Sequence, residues 1–597
     1  MHSGDLRAAE SELLPLAAGE PANSEASTLL AIVLAKQRRL DEAAELLEGA
    51  LKCDPESVTA LNWLAIVRRT QNRPSDAMKF LERSYRLNPL DPDVLNMLGL
   101  CHLTLGKASA AETAFSALIK LQTESAPAHA NLGMALRLAN RGDEALAEFQ
   151  AALRLDPGHA QNYLQVFKQL QQLSRLDEGI QALKDGLKAH PRSIELHEAL
   201  AVAYGRAGQA AEAEQSFRIV AEASPTAAIS YAEWLQEQGR FPDSFQVLSD
   251  LIELRPRQGV PYRLLAEAGQ TELNGRRLLD QVLDILADRQ IDEIARMHLS
   301  YAAGHLRDQD GDCREAIHSF DQANSIAYGT YPACGTFDPD WTEREPDAVA
   351  SLYSDEFFAD SRSSGLGDPR PVFIVGMIRS GTTLLDQIVS AHPRITSTGE
   401  GAFWNAEADA VNARWASARP TPEEIQNLAA RYLAATRVGA NTDLFTDKMP
   451  LNYRHLGMIH AALPNAKILH IRRDAFDTCL SIYSTFFAGG PNFAYRQANI
   501  VAFYRSYLRL VEHWRSVLPP DRFFELDYEQ LVAEPEPVIR SVIRFLDLEW
   551  DDRCLRPDRN ASHVTTPSRW QARQPIYRTS TGKRPKYGQW APIFDQL

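Results

Sequence analysis

Gly376 and Gly381 bound the loop GMIRSG, which follows the apolar run PVFIV and precedes TTLLDQIV. A buried strand, a glycine-bounded loop and a helix start form an anion cradle. Backbone N–H groups and the helix N-terminus point at one spot. The ATP/GTP pattern G-x-x-x-x-G-K-[ST] shares this glycine spacing but needs a lysine after the second glycine. Thr382 stands at that position. The positive charge lies inside the loop instead, at Arg379, with Ser380, Thr382 and Thr383 as neighbouring hydroxyls. Such a set can neutralise several anionic oxygens at once. By itself, G-x-x-x-x-G also fits an ordinary strand–turn–helix.

The elements that position this loop are legible from Arg370 onward. Strand-like runs PVFIVG, AKILHIRR and FFELDY alternate with helical stretches such as PTPEEIQNLAARYLAAT. Strand–helix alternation implies a three-layer, P-loop-like parallel sheet with ligands at the C-terminal ends of the strands. The first half of the chain is different. Prolines recur at Pro55, Pro89, Pro157, Pro191 and Pro225, at steps of 34 or twice 34 residues, with Thr123 in the vacant slot. Ala31, Ala65, Gly99, Gly133 and Ala201 share one register position, which Phe167 interrupts, and Ala43, Ala77, Ala111, Ala145, Gly179 and Ala213 share another. This period and these small residues resemble the tetratricopeptide repeat. Each helix pair then buries its apolar face on the next, and the proline helps to stop the second helix. The expected organisation is a helical extension at 1–23, an all-α repeat solenoid at 24–327, a linker at 328–369 and an α/β domain at 370–597. About eight helix pairs are expected, with a degenerate stretch at Leu273 to Ile294 and a late unit at Met297 to Asn324. The linker is expected to hold one short helix, Pro346 to Ala359.

Composition narrows the classes. A chain of 597 residues exceeds one ordinary domain, and 24% charged with 45% hydrophobic residues is ordinary for a globular protein. The net charge of −15 argues against a general nucleic-acid binder. Six cysteines (Cys53, Cys101, Cys313, Cys334, Cys479 and Cys554) have no C-x-x-C spacing, so neither a zinc site nor a disulfide framework is indicated. The N-terminus carries acids and no long apolar core, unlike a signal peptide. No run approaches the ~20 apolar residues that span a bilayer. The expected location is cytoplasmic.

GMIRSGTTLLDQIVSAHP, with RITSTGE after it, resembles the 5′-phosphosulfate loop of sulfotransferases, which use 3′-phosphoadenosine 5′-phosphosulfate as donor. The resemblance implies that Arg379, Ser380, Gly381, Thr382 and Thr383 hold the 5′ end of that nucleotide. One departure is Ile378, where the family usually has proline. AKILHIRRDAFDTCLSIY resembles the family's 3′-phosphate signature, implying Arg473 and Ser481 as ligands, with Arg472 a solvated neighbour. Glu400 lies 21 residues after Arg379, the separation found in protein-tyrosine sulfotransferases. The likeness makes it the general base, and a hydroxyl attacking sulfur needs one. His392, His455 and His460 are weaker candidates for that role. Lys448, in FTDKMPLNY, is placed by the resemblance at the leaving oxygen, with Asp447 and Asn452 positioning it. The late basic stretch Thr565 to Tyr587 fits the protein-tyrosine type at Ser568, Gln571, Pro575, Gly582 and Lys583, which implies Ser568 and Lys583 as donor contacts and offers Arg573 and Arg584 as extra basic groups. LDYEQLV reads as structural: a strand end and a helix cap. The resemblance covers about Arg370 to Gly588, and the order of the two parts resembles bacterial repeat-containing sulfotransferases.

The implied activity is metal-free transfer of a sulfuryl group from 3′-phosphoadenosine 5′-phosphosulfate to a hydroxyl. Arg379 and Lys448 would stabilise developing charge. The acceptor expected from the solenoid is a tyrosine in a protein or peptide. A carbohydrate or small-molecule hydroxyl is the alternative, and an inactive interaction scaffold is an alternative of another class. A kinase is disfavoured by the missing loop lysine. Homodimerisation stays open.

Overall fold

The computed structural model describes residues 3–17, 23–173, 175–331, 335–361, 364–436, 438–439, 442–488, 490–560, 566, 568–577 and 580–597. Cys334, Thr565 and parts of the 1–23 extension lie outside the described residues. The chain forms two compact units, Met1–Val220 and Ala221–Leu597.

In the first unit, helix Ser3–Ala17 precedes helix pairs that begin with Ser24–Lys36 and Leu40–Cys53 and run to Ile194–Arg206 and Ala210–Ala221. The 34-residue period has a packing cause. A Cβ on Gly99 would sit 2.5 Å from the Phe115 ring, and one on Gly133 would sit 2.8 Å from the Phe149 ring. A small residue on the first helix of a pair thus admits a large one from the second. The same period governs the caps. Ser57, Asp91, Ser125 and Ser193 each accept a backbone N–H from the first turn of the helix they start. Pro55, Pro89 and Pro191 stand two residues ahead of these caps. Pro225 differs: it is the first residue of its helix, behind the Ser224 cap, where a missing N–H costs nothing.

In the second unit the helices continue as Pro225–Glu237, Phe241–Leu254, Gly259–Glu267, Leu278–Leu286, Glu293–Asp310 and Cys313–Thr330. The late repeat has the familiar contact, with a Cβ on Gly304 falling 2.4 Å from the Phe320 ring. The stretch read as degenerate opens with a two-stranded hairpin, Glu272–Leu273 against Arg276–Arg277, turned by Asn274 and Gly275 at φ 51° and 73°. Asn-Gly suits a turn that needs two left-handed residues. The segment expected to contain one short helix contains two, Pro339–Leu352 and Asp355–Ser361. Asp338 caps the first, so Pro346 lies inside a helix and does not start one. Tyr353, Phe357 and Phe358 bury in the core of the α/β part.

That part is built on five parallel strands: β1 (Pro371–Val375), β2 (Ile395–Ser397), β3 (Leu444–Asp447), β4 (Lys467–Arg472) and β5 (Phe523–Asp527). Their order is β2-β3-β1-β4-β5, so the direction of winding reverses beside β1. A ligand crevice forms outside the strand ends at such a switch point. β1 is buried along its whole length. Its side chains alternate between two apolar layers, Val372 and Ile374 in one and Phe373 and Val375 in the other. Among the described residues no helix is long and apolar enough to cross a membrane.

His455 shows what burial does to an ionisable group here. It has neither ring nitrogen hydrogen-bonded, and burial pushes its pKa down to about 3. Its folded pKa lies below the unfolded one, near 6.5. Its contribution is therefore complete above pH 6.5 and is lost as pH falls, at ~1.4 kcal/mol per pH unit. His455→Leu is expected to flatten the decline in melting temperature between pH 7 and pH 5. An unchanged slope would assign the acid sensitivity to other groups.

Candidate active site

The loop after β1 begins at Gly376, where a Cβ would lie 2.4 Å from the carbonyl oxygen of Ile471. It ends at Gly381, which has φ 105° and abuts the Tyr528 ring, with a Cβ falling 2.5 Å from it. These two glycines let β4 and β5 close around the loop. Between them Arg379 adopts φ 67°, a left-handed conformation rare for a residue with a side chain. A left-handed residue in a tight turn gathers successive N–H groups into an anion-binding nest. Helix Thr382–Val389 starts directly behind it, with Thr382 and Thr383 buried in its first turn.

Arg379 and Arg473 share this nest. The Arg379 Nε donates to Ser481 Oγ at 3.1 Å, and its Nη1 donates to Ser568 Oγ. Arg473 Nη1 donates to the Arg379 carbonyl at 3.0 Å, and Nη2 donates to the Ser580 carbonyl. The Arg473 guanidinium lies 5.1 Å from the Tyr528 ring centre. All four hydrogen bonds end on neutral oxygens. Burial, and then the like charge of Arg473, push the Arg379 pKa down to about 10. Two half-buried guanidiniums side by side, with no carboxylate bonded to them among the described residues, repel each other, and an anion relieves that cost. Ser380 is 1% exposed and its hydroxyl has no partner. An incoming phosphate or sulfate oxygen would satisfy it.

A second cluster lies at the ends of β2 and β3. Lys448, 3% exposed, follows β3 and donates through Nζ to Glu400 Oε1. Glu400 sits in the turn after β2, and the Lys448 N–H donates to the Gly399 carbonyl at 2.9 Å. Asp386, in the helix behind the nest, accepts hydrogen bonds from Thr446 Oγ1 at 2.6 Å and Ser397 Oγ at 2.9 Å. Ser397 in turn accepts the Gly399 N–H. The loop helix therefore braces the turn that carries Glu400. Asp447 accepts from Tyr432 OH at 3.1 Å and Asn452 Nδ2 at 3.3 Å, and burial raises its pKa to about 7. This cluster offers one solvent-exposed carboxylate, Glu400, able to take a proton, beside one buried ammonium, Lys448.

The residues singled out from the sequence thus divide. Arg379, Arg473, Ser481 and Ser568 converge on the nest, with Ser380, Gly381, Thr382 and Thr383 forming its floor. Glu400 and Lys448 pair beside it. The Lys583 ammonium goes elsewhere, to Asp308 at 2.8 Å, while its backbone N–H binds Asp477. Arg584 pairs with Asp595, and Arg573 reaches the carbonyls of Asn560 and Glu237. Arg472 is bound to Asp527. The histidines are engaged as structure: His392 between the Glu549 carbonyl and the Arg394 N–H, and His460 edge-on to Phe358. Tyr528, a strand-end residue in the sequence reading, stacks on Arg473, and its hydroxyl meets Ser580. Asp386 likewise has no sequence signature, being a single acid in a helix.

A parallel sheet wound in this order, with a glycine-bounded, lysine-free loop at its switch point, defines a P-loop-like α/β fold. The family comparison is specific. Residues 371–552 match the sulfotransferase family, and residues 1–58, 43–93, 96–160 and 167–228 match the tetratricopeptide repeat. The chain carries a sulfotransferase-family domain behind tetratricopeptide repeats. An uncharacterised protein of Aquifex aeolicus (strain VF5) is 27% identical over 437 residues, covering 70% of this chain and 52% of that protein. Protein-tyrosine sulfotransferase of Drosophila melanogaster is 27% identical over 207 residues, covering 31% of this chain and 39% of that protein. Omega-hydroxy-beta-dihydromenaquinone-9 sulfotransferase Stf3 of Mycobacterium tuberculosis (strain CDC 1551 / Oshkosh) is 28% identical over 117 residues, covering 18% and 30%. The chain spans about half the length, or less, of these relatives.

Proposed function

We propose that the protein is a sulfotransferase that moves a sulfuryl group from 3′-phosphoadenosine 5′-phosphosulfate to a tyrosine hydroxyl of a protein or peptide brought by the repeats. The observation that carries the donor assignment is the pair Arg379 and Arg473, half-buried side by side and, among the described residues, bonded only to neutral oxygens. A donor with phosphate at both ends of its ribose and a sulfate beyond supplies the missing charge at two places.

Arg379, Ser380, Thr382 and Thr383 would hold the 5′ phosphate and sulfate, and Arg473 and Ser481 the 3′-phosphate. Glu400 takes the proton of the acceptor hydroxyl as its oxygen bonds to sulfur. The bond from sulfur to the 5′-phosphate oxygen breaks, and adenosine 3′,5′-bisphosphate leaves. Lys448 and Arg379 stabilise the charge that grows on that oxygen and on the sulfate. Tyrosine as acceptor is supported by the Drosophila relative, whose similarity falls on this domain. The mycobacterial relative supports a small-molecule hydroxyl as the second reading.

Two measurements test this. Adenosine 3′,5′-bisphosphate is expected to raise the melting temperature by several degrees where ATP does not, because only a ligand that binds the folded state stabilises it. Labelled donor is then offered to tyrosine peptides, glycans and a lipid alcohol, with label expected on the peptides. No stabilisation by the bisphosphate would sink the donor. Label on glycan or lipid alone would move the acceptor.

A further inference from the structure

We propose that the last repeats complete the donor site, with Asp308 acting as a positioning residue through Lys583. The inference rests on the donor reading above.

Two chain segments contact the arginine nest, and both are fastened to repeat helices of the same compact unit. The first is the C-terminal stretch, residues 568–573 and 580–587. Ser568 bonds Arg379 and the Ser580 carbonyl bonds Arg473. The residue after Ser568, Arg569, pairs with Glu233 of helix Pro225–Glu237 at 3.2 Å. Trp570 stands edge-on to Phe241 at 4.6 Å and lies over Gly269, where a Cβ would be 3.5 Å away. Further on, Asp308 of helix Glu293–Asp310 accepts both the Lys583 ammonium, at 2.8 Å, and the Tyr587 hydroxyl. Asp477 binds the N–H groups of Gly582 and Lys583 at 2.6 and 2.8 Å.

The second segment is helix Ala475–Tyr483, which carries Ser481 and Asp477. Its final carbonyl, on Tyr483, accepts Asn324 Nδ2 at 2.8 Å, and Asn324 is itself held by Tyr301 OH at 2.6 Å. Tyr483 OH donates to Asp321. Just beyond the helix, Phe486 lies against His298 at 4.8 Å and beneath Arg263 at 5.0 Å. The repeats therefore grip the 3′-phosphate helix at one end and the covering stretch at two points. Asp308 joins these holds, because Lys583 is bound by Asp308 through its side chain and by Asp477 through its backbone.

This arrangement gives Lys583 a different part from direct neutralisation of the donor. Its ammonium binds Asp308, and its part is to fix the stretch that holds Ser580 against Arg473 and Gly582 against Asp477. Removing either partner should free the same stretch, so the two losses should not multiply.

The experiment uses the full chain and a double-mutant cycle of Asp308→Asn and Lys583→Met. The affinity for adenosine 3′,5′-bisphosphate is measured by calorimetry, and the donor KM and kcat by steady-state kinetics. Each single variant is expected to weaken the bisphosphate about tenfold and raise the donor KM to match, with kcat at saturating donor within about twofold. The double variant should be no weaker than either single one. Affinities equal to wild type, or losses that multiply in the double variant, would overturn the inference. Should a single variant fail to fold, Tyr587→Phe removes only the second hydrogen bond to Asp308 and should weaken the bisphosphate in the same direction; no weakening counts against the inference. Failure of the wild-type chain to bind the bisphosphate would instead remove the donor reading itself.

Discussion

Arg379→Ala is expected to lower kcat/KM for the donor by about 10³-fold and to abolish thermal stabilisation by adenosine 3′,5′-bisphosphate. The guanidinium reaches Ser481 on one side and Ser568 on the other, and its own carbonyl holds Arg473. It therefore links the two ends of the proposed nucleotide. The ligand-free protein should behave in the opposite way. A half-buried cation beside a like charge, with no anion bonded to it among the described residues, costs stability, so its removal should leave the ligand-free melting temperature level or raise it. Those two signs together separate a ligand-binding arginine from a structural one. Activity within tenfold of wild type, or a marked fall in ligand-free stability, would each contradict the assignment. Arg379→Lys should rescue little, because one ammonium cannot span both serines.

Glu400→Gln is expected to lower kcat by about 10² to 10⁴-fold while bisphosphate affinity stays within about twofold. Glutamine matches the shape and can still accept a hydrogen bond from the Lys448 ammonium, but it cannot take the acceptor's proton. The turn carrying the residue should stay in place, because Asp386 braces it through Ser397 and Thr446, and the Lys448 N–H ties it to β3. The comparison variant is Asp386→Asn, which should loosen that turn and raise the acceptor KM as well as lower kcat. Full activity in Glu400→Gln would transfer the base role elsewhere. Loss of bisphosphate binding along with kcat would mean that the residue supports the fold.

The repeats change how the α/β part should be handled. The compact unit begins at Ala221, and helices from Pro225 to Thr330 contact Ser568's neighbours, Tyr483 and Lys583. A fragment cut where strand–helix alternation begins, at Arg370, would lose Tyr353, Phe357 and Phe358 from its core along with every one of those anchors.

Much of this protein was written in local patterns. The 34-residue period follows from a small residue on one helix facing a large one on the next, as at Gly99 with Phe115. Alternation in PVFIV and the glycines of GMIRSG follow from backbone sterics within a few residues. The arginine and threonines of the loop are adjacent in the chain, so spacing alone exposed them. Other features depend on pairs far apart in sequence, and only the tertiary structure decides them. Tyr528 follows a strand in the sequence, and only the position of β5 brings its ring onto Arg473. Lys583 reads from the sequence as a donor contact, and that its ammonium meets Asp308 depends on where helix Glu293–Asp310 lies. Asp386 has no motif, and its part in holding the Glu400 turn exists only because β2 and β3 end beside its helix. A local pattern reports what the backbone can do over a few residues. The partner of a charge is set by which distant surfaces the core brings together.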